Sequence, residues 1–203
     1  MARLTFYLAS GNAHKAAELQ ALAEASALTV TVASARAIGG MPEVVEDSGT
    51  FVGNARIKAL ALRPRLPAGA WALADDSGLC VDALNGAPGV ESAYYAGPQG
   101  DSRANLAKLV DVLRDVPESR RGAQFRCVLL ALGPDGAEQI FEGGCPGRLL
   151  AQPRGQGGFG YDPLFVPDGY DASLAELGDA IKNTVSHRAR AWQRLADWVR
   201  LQS

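Results

Sequence analysis

Cysteine is scarce in this chain of 203 residues, which contains only Cys80, Cys127 and Cys145. Their number is odd, and no two have the CxxC spacing that is typical of metal or redox sites. Two of the three lie in apolar runs. The sequence therefore argues against a disulfide framework and against a zinc site, and it favours a reducing, cytoplasmic location.

A surplus of either charge is also missing, because 20 Lys and Arg residues stand against 22 Asp and Glu residues, for a net charge of −2. Such a chain has no global field that would attract a nucleic-acid backbone or an anionic membrane. No segment approaches membrane-spanning length, and the first apolar run is too short for a signal sequence. We therefore expect no nucleic-acid partner and no membrane partner, and an anionic ligand must be small and locally held.

Apolar residues are plentiful, at 47% of the chain. This is enough to bury the core of one domain over residues 1–203, or of two closely joined lobes. A buried strand at 4–10, a helix at 13–26 and a β-branched strand at 28–34 follow one another. This order predicts a βαβ opening and an α/β fold.

The next elements surround two adjacent acids. A helix is predicted at 51–62, and a strand at 71–76 precedes a short second strand at 78–84. The break between the two strands would place Asp75 and Asp76 at a strand end. Carboxylates that leave the interior there are costly unless they are paired, hydrogen-bonded or bound to a metal.

The second half of the chain predicts a mixed sheet. Asp101 is placed to cap an amphipathic helix at 102–116, and a Pro-Asp-Gly turn joins strands at 123–133 and 138–144 as an antiparallel pair. Beyond them, a Ser/Glu capping box starts a short helix, and one final helix has an apolar face. The box residues are Ser173 and Glu176, and the apolar face consists of Ile181, Val185, Trp192, Leu195 and Val199.

Open α/β sheets bind ligands beyond the carboxyl ends of their strands, and SGNAHK at 10–15 follows the first strand there. Because it opens a helix, its backbone N–H groups, Asn12 and Lys15 are suited to phosphate. A capped helix start with an exposed lysine is the alternative.

A second stretch, EDSGTFVGNARIK, combines acids with a helix. Glu46 and Asp47 offer the oxygen ligands that a hard cation prefers, while Asn54 and Lys58 lie one helical turn apart and could face one ligand. A plain capped helix is the alternative.

The third stretch, ADDSG, contains the adjacent carboxylates of Asp75 and Asp76. Paired carboxylates at a strand end suit Mg²⁺, which requires oxygen ligands and keeps several waters. The alternative is a tight turn in which the Asp side chains bond local N–H groups.

The glycine-rich stretch PRGQGGFGYDP matches the G-x-G-x-x-G spacing at Gly155, Gly157 and Gly160. No strand precedes it and no helix follows it, so we reject a dinucleotide-binding loop. Its backbone could instead approach a base while Phe159 or Tyr161 stacks on that base. The alternative is a connection with an aromatic plug.

The stretch IKNTVSHRARAW is predicted to lie on one continuous helix. There Lys182 and Ser186 share a side, whereas His187 lies roughly 140° from Lys182. A solvated basic face is the favoured interpretation for Arg190 and Arg194.

Taken together, these stretches resemble the inosine triphosphate pyrophosphatase (Ham1-like) family. The similarity covers almost the whole chain in family order, through LASGNAHKAAEL, EDSGTFVGNARIKA, ADDSGLCVDALNGAPGVESAYYAG, PRGQGGFGYDPLFVP and KNTVSHRARA. The resemblance implies hydrolysis of ITP, dITP and XTP to the monophosphate and pyrophosphate with Mg²⁺. It also implies an elongated α/β protein, usually a homodimer, with a mixed, helix-flanked sheet and two lobes around a central active-site cleft.

The family pattern further implies a role for each matching residue. Glu46 and Asp76 would position the metal, and Asp76, with Asp75 beside it, would accept a proton from the attacking water. Lys58 would assist in binding the triphosphate, and Ser77 would contact the substrate. The remaining triphosphate-binding residues would be Ser10, Gly11, Asn12, Ala13, His14 and Lys15.

A separate set of residues would bind the base. Hypoxanthine and xanthine present an O6 acceptor where adenine presents an amino donor, so Lys or Arg donors at this position would reject ATP. By resemblance the base-binding residues are Phe159, Gly160, Tyr161, Asp162, Lys182, His187 and Arg188.

The chain departs from the family pattern at two positions. Gly53 stands where Glu is usual, which removes a capping-box partner of Thr50 and an acid near the metal. We expect a looser helix start, by up to about 1 kcal/mol. Tyr94 replaces a common Arg, so any role of that Arg does not transfer.

Two other functions are consistent with the pattern. One is a related pyrophosphatase that acts on other modified or pyrimidine nucleotides, and the other is a catalytically silent nucleotide-binding domain. The presence of Lys15, Glu46, Asp75 and Asp76 argues against a silent domain.

Overall fold

The computed structural model describes residues 4–202, which form a six-stranded sheet and five α-helices. The strands are β1 Leu4–Leu8, β2 Val30–Ser34, β3 Trp71–Val81, β4 Gly122–Leu132, β5 Glu138–Leu149 and β6 Phe165–Pro167. The helices are α1 Ala13–Ala25, α2 Phe51–Leu62, α3 Ser102–Val112, α4 Leu174–Val185 and α5 His187–Leu201. Within the described residues no helix combines the length and the apolar character needed to cross a bilayer.

The sheet is mixed, with strand order β2-β1-β3-β4-β5-β6. β1 runs parallel to both β2 and β3, whereas β5 and β6 are antiparallel. The neighbours β4 and β5 are joined only by residues 133–137, and a parallel crossover needs a dozen residues or more, so this pair is also antiparallel. The predicted α/β class, the βαβ opening and the mixed sheet are confirmed.

The chain divides into two compact units. Unit 1 consists of Met1–Asp76, Cys127–Gly143 and Arg188–Ser203, and unit 2 consists of Ser77–Arg126 and Gly144–His187. This division agrees with the prediction of two lobes. The assignment of residues 1–203 to one domain stays a prediction.

Each unit has its own apolar core. In unit 1, Phe6 and Leu19 from β1 and α1 pack with Trp192 from α5. In unit 2, Phe125 from β4 and Phe165 from β6 meet edge to face, with ring centroids 4.8 Å apart. The βαβ opening and the helices could be recognised in the sequence because their apolar residues recur along one face of each element, and that face packs into one of these cores.

Several predicted helix starts are present as hydrogen-bonded caps. The side chain of Asp101 accepts hydrogen bonds from the backbone N–H groups of Arg103 and Ala104 at the start of α3. At α4, Ser173 and Glu176 form the predicted capping box. The α3 helix ends at Val112, four residues before the predicted end.

The prediction of a strand break after the two acids is wrong. β3 runs without interruption from Trp71 to Val81, so Asp75 and Asp76 lie in the middle of a strand. Ser-Gly after two acids is typical of a turn, but Gly78 here allows a close approach of the backbone. A Cβ added at Gly78 would lie 2.1 Å from the carbonyl oxygen of Gly89.

We therefore expect Gly78→Ala to lower the free energy of unfolding by about 1–3 kcal/mol, as overpacking does in other cores. The added methyl group would also lie 2.6 Å from Ser92 Oγ, so backbone has to move. Urea denaturation measures the effect. Gly11→Ala is the matched control, since an added Cβ there lies more than 4 Å from the other atoms of residues 4–202, and an equal loss in both variants would contradict the explanation.

The prediction of one continuous C-terminal helix is also wrong. α4 ends at Val185, Ser186 adopts an extended conformation with φ −67° and ψ 158°, and α5 starts at His187. Serine in an extended conformation directly before a helix is typical of a helix start. The predicted shared side of Lys182 and Ser186, and the angle of His187 from it, therefore do not apply.

Candidate active site

The predicted triphosphate stretch joins β1 to α1 and forms the N-terminus of α1. The Asn12 side chain accepts hydrogen bonds from the backbone N–H groups of His14 at 2.9 Å and Lys15 at 3.2 Å. The backbone N–H of Asn12 in turn donates to Ser10 Oγ at 3.1 Å. Exposed helix N-termini attract anions, and the exposed residues here are Gly11, Asn12, Ala13 and His14.

Asp75 is the centre of a buried charge network in unit 1. Its carboxylate forms ion pairs with Lys15 Nζ at 2.6 Å and with Arg188 Nε at 2.7 Å. Arg188 also pairs with Glu18, and the thiol of Cys127 donates to Asp75 Oδ2 at 3.5 Å. Asp75 and Arg188 are each only 1% exposed. Both carboxylate oxygens of Asp75 are therefore engaged by protein groups.

Burial by itself would raise the pKa of Asp75, but the guanidinium of Arg188 and the ammonium of Lys15 outweigh it and hold the pKa well below its usual range. Asp75 stays ionised at every physiological pH. A permanently charged carboxylate whose oxygens are occupied is a poor proton acceptor. Its geometry suits the positioning of Lys15 instead.

Asp76 points to a second group, which contains Glu46 and Lys58. Lys58 Nζ donates to Glu46 Oε2 at 2.7 Å and to Asp76 Oδ1 at 2.6 Å. Lys58 extends from α2, Asp76 from the middle of β3, and Glu46 from the loop before α2. The ammonium of Lys58 thus brings the two predicted metal ligands to one point.

The two oxygens of Asp76 differ. Oδ1 receives Lys58, whereas Oδ2 is buried and has no hydrogen-bond partner within residues 4–202. Burial raises the pKa of Asp76 to about 6, although Lys58 acts against the rise. A buried acceptor without a partner normally indicates a missing water, ion or ligand, and a pKa near neutrality suits a general base.

A third group lies in unit 2 and involves the glycine-rich loop. Asp162 Oδ2 accepts Lys182 Nζ at 2.7 Å and the backbone N–H of Phe159 at 2.8 Å. The same ammonium lies 4.5 Å from the centroid of the Phe159 ring. Gly158 makes this contact possible, because an added Cβ there would lie 2.3 Å from Asp162 Oδ2.

The other predicted residues of unit 2 occupy different surroundings. Tyr161 is buried and its hydroxyl donates to the carbonyl oxygen of Ser92 at 2.8 Å, while Gly160 is half-buried. The His187 ring stacks on Phe125, with centroids 4.8 Å apart. Ser77 continues β3 beyond the acids.

Comparison with known proteins identifies the family. The sequence matches the model of the Ham1 family over residues 6–198. The chain belongs to the Ham1 family. It is 66% identical over 201 residues to a dITP/XTP pyrophosphatase of Opitutus terrae, which covers 97% of this chain and 99% of that protein.

Solved Ham1 structures have the same fold. A Ham1 protein of Staphylococcus aureus has a TM-score of 0.84 at 33% identity, over 98% of this chain and 100% of its own. A HAM1 protein of Coxiella burnetii also has a TM-score of 0.84, at 37% identity over 97% of this chain and 98% of its own. The resemblance inferred from the five motifs is confirmed.

None of the motifs of this Ham1 chain points to Glu18, whose carboxylate pairs with Arg188. A signal was present, because Glu18 lies three residues after Lys15 and hence on the same side of α1. The family pattern implies a place for Arg188 among the base-binding residues, and the structure places it in unit 1 between Asp75 and Glu18.

The helix that carries Lys58 shows how the chain accommodates Gly53. Thr50 Oγ1 accepts the N–H of Gly53 at 3.0 Å, so the predicted cap forms. Ser48 Oγ donates to Asn54 Oδ1 at 2.8 Å, and a Cβ at Gly53 would lie 2.3 Å from that same hydroxyl oxygen. Asn54 therefore stabilises the loop before α2, and Gly53 leaves space for Ser48.

Proposed function

We propose that this chain is a nucleoside-triphosphate pyrophosphohydrolase that removes unusual purine nucleotides, hydrolysing ITP, dITP and XTP to the monophosphate and pyrophosphate. The observation that carries the proposal is the buried Oδ2 of Asp76, which has no hydrogen-bond partner among residues 4–202 although Oδ1 of the same side chain pairs with Lys58. Membership of the Ham1 family, and a relative that is a dITP/XTP pyrophosphatase at 66% identity, support this activity.

In the proposed reaction, Asp76 Oδ2 accepts a proton from the water that attacks the α-phosphorus. The new bond joins that water oxygen to the α-phosphorus, and the bond to the bridging oxygen of the pyrophosphate breaks. Lys58 stabilises the growing negative charge and Lys15, held by Asp75, binds phosphate oxygens at the start of α1. No covalent nucleophile is needed, because phosphoryl transfer depends mainly on positioning and charge stabilisation.

Mg²⁺ is the proposed cofactor, and the residues present fit it. Glu46 and Asp76 both reach Lys58 Nζ, and one oxygen of Asp76 is left without a partner within the described residues. Residues 4–202 contain no cluster of three or more His, Cys, Asp or Glu side chains suited to a metal. Mg²⁺ typically uses one or two carboxylates together with substrate phosphates. When bound, the ion would neutralise phosphate charge and acidify a nearby water.

The base is proposed to bind in unit 2, at the group formed by Phe159, Asp162 and Lys182. The half-buried ring of Phe159 offers a stacking surface, and the Lys182 ammonium is a donor that matches the O6 acceptor of hypoxanthine or xanthine. The 6-amino group of adenine would place a donor against this donor. We accordingly propose discrimination against ATP at this group.

The test is pyrophosphate release from ITP, dITP, XTP, GTP and ATP in the presence of Mg²⁺. We expect release from the inosine and xanthosine nucleotides at rates at least about tenfold above ATP, because leaving a buried donor unpaired costs about 1–3 kcal/mol. Asp76→Asn, purified in the same way, controls for contaminating phosphatases. Both products should be quantified, so that pyrophosphate is distinguished from sequential release of phosphate.

Other outcomes would select another function. Release confined to pyrimidine or otherwise modified nucleotides would favour a related pyrophosphatase, and nucleotide binding without any release would favour a silent binding domain. On the family resemblance alone, we also propose that the protein acts as a cytoplasmic homodimer.

A further inference from the structure

The carbonyl oxygen of Ser92 is a buried junction in unit 2. It accepts the Tyr161 hydroxyl at 2.8 Å and Asn105 Nδ2 at 3.4 Å. Asn105 also donates to the carbonyl oxygen of Ala93 at 2.9 Å and accepts the N–H of Ala96 at 2.6 Å. Asn105, Tyr161 and Ser92 are 3%, 5% and 7% exposed. Asn105, which extends from α3, therefore fixes the segment that Tyr161 contacts.

The junction is anchored to the sheet as well. Ser92 Oγ accepts the backbone N–H of Leu79, in β3, at 2.9 Å and donates to the carbonyl oxygen of Gly89 at 2.6 Å. Its backbone and its side chain are thus held from two sides. A shift of Ser92 would break several buried hydrogen bonds at once, and leaving such groups unpaired is costly.

Tyr161 connects the glycine-rich loop to Ser92 through the hydrogen bond of its hydroxyl. Burial raises the pKa of Tyr161, so its hydroxyl remains a donor. Phe159 lies two residues earlier, and its N–H is bound by Asp162, which also holds Lys182. The ring of Phe159 therefore lies in a short segment that two hydrogen bonds hold in place. One joins the Tyr161 hydroxyl to the Ser92 carbonyl oxygen, and the other joins the Phe159 N–H to the Asp162 carboxylate.

We propose that Asn105 is a positioning residue for the nucleotide base, acting through the Ser92 carbonyl and the Tyr161 hydroxyl on the Phe159 ring. The proposal rests on the proposed function, since it assigns the base to Phe159 and Lys182. It also gives Tyr161 a definite role: its hydroxyl anchors the loop, and its ring does not stack on the base. Asn105 is not among the binding residues that the five motifs predict, so its role is inferred from its contacts alone.

The test compares steady-state kinetics of Tyr161→Phe and Asn105→Ala in the full chain. Tyr161→Phe keeps the ring and removes only the hydroxyl. We expect KM for ITP to rise about three- to tenfold, the value of one lost hydrogen bond, while kcat changes by less than about twofold. Asn105→Ala should raise KM in the same way. Tyr170→Phe, a half-buried tyrosine of the same unit, is the matched control and should leave KM unchanged.

The double variant decides whether the two residues act along one path. If Asn105 acts through Tyr161, the double variant should raise KM no further than the larger single change, so the effects are not additive. Additive effects on KM, or variants that only lower Tm, would overturn the proposal. A wild type that releases no pyrophosphate from ITP overturns the proposed function and this role with it, whereas an active wild type with unchanged KM in Tyr161→Phe overturns only the positioning role.

Discussion

Replacing Asp76 by Asn should lower kcat for ITP by about 10²- to 10⁴-fold, the usual contribution of a general base. The side chain keeps its size and its contact with Lys58, but the atom that replaces one carboxylate oxygen no longer accepts a proton. Asn also offers a weaker oxygen ligand to a metal. The loss should therefore appear mainly in kcat, and nucleotide binding should persist.

The same substitution should stabilise the protein when Mg²⁺ is absent. Burial raises the pKa of Asp76 from 3.8 to about 6, so the folded state binds the proton more tightly than the unfolded chain does. Stability from this group is fully present below about pH 4 and is lost as the pH rises to about 6. Each pKa unit corresponds to about 1.4 kcal/mol, so the loss reaches about 3 kcal/mol. The Asn side chain is neutral at every pH, so the variant does not lose this stability as the pH rises.

Urea denaturation in EDTA, at pH 4.5 and pH 7.5, measures this difference. Asp76→Asn should exceed wild type by about 3 kcal/mol at pH 7.5 and by much less at pH 4.5. Asp115→Asn, an exposed acid of unit 2, is the control and should change stability by less than about 0.5 kcal/mol. A variant less stable than wild type at pH 7.5 would mean that the Lys58 ion pair outweighs the cost of burying the charge.

Elements of the fold that are determined by neighbouring residues could be predicted from the sequence, and those that are determined by distant residues could not. The α2 helix at Phe51–Leu62 was predicted at both ends, because Thr50 is a capping residue and the apolar period continues for three turns. The predicted split of β3 is wrong because Ser77 and Gly78 have the residue types of a turn but lie within one strand. The reason for that glycine is the carbonyl of Gly89, which sequence order does not reveal. Likewise, Ser186 was not recognised as the break between α4 and α5.

In the candidate site, too, the features with local causes could be predicted from the sequence and those that depend on distant residues could not. Five ordered motifs identified the residue types and the family, and the structure brings Lys15 close to Asp75 and Glu46 close to Lys58. The partner of Asp75 could not be derived, because Arg188 lies 113 positions further along the chain. The sequence pattern also predicts one shared role for the two adjacent acids. Their surroundings give them opposite ones, since strand alternation directs neighbouring side chains to opposite faces.

Replacing Asp75 by Asn should therefore have the opposite effect on stability, a loss of about 3–5 kcal/mol at neutral pH. The carboxylate of Asp75 neutralises Lys15 and the nearly inaccessible Arg188, and without it Arg188 loses the ion pair at its Nε while the pair with Glu18 remains. Removing one member of a buried ion pair leaves the other charge uncompensated in a medium of low dielectric constant. An amide of the same size does not restore that charge.

The pH dependence distinguishes this explanation from a packing defect. The folded-state pKa of Asp75 lies well below 3.8, so its contribution is present above the unfolded pKa and is lost as the pH falls through the folded one. Urea denaturation should show the full deficit of Asp75→Asn at pH 7.5 and a smaller one at pH 3. Lys15→Met, which removes one cation and leaves the Arg188 pair in place, should cost less and keeps the test informative if Asp75→Asn fails to fold. A deficit that stays constant down to pH 3 would show that shape, and not charge, is what Asp75 contributes.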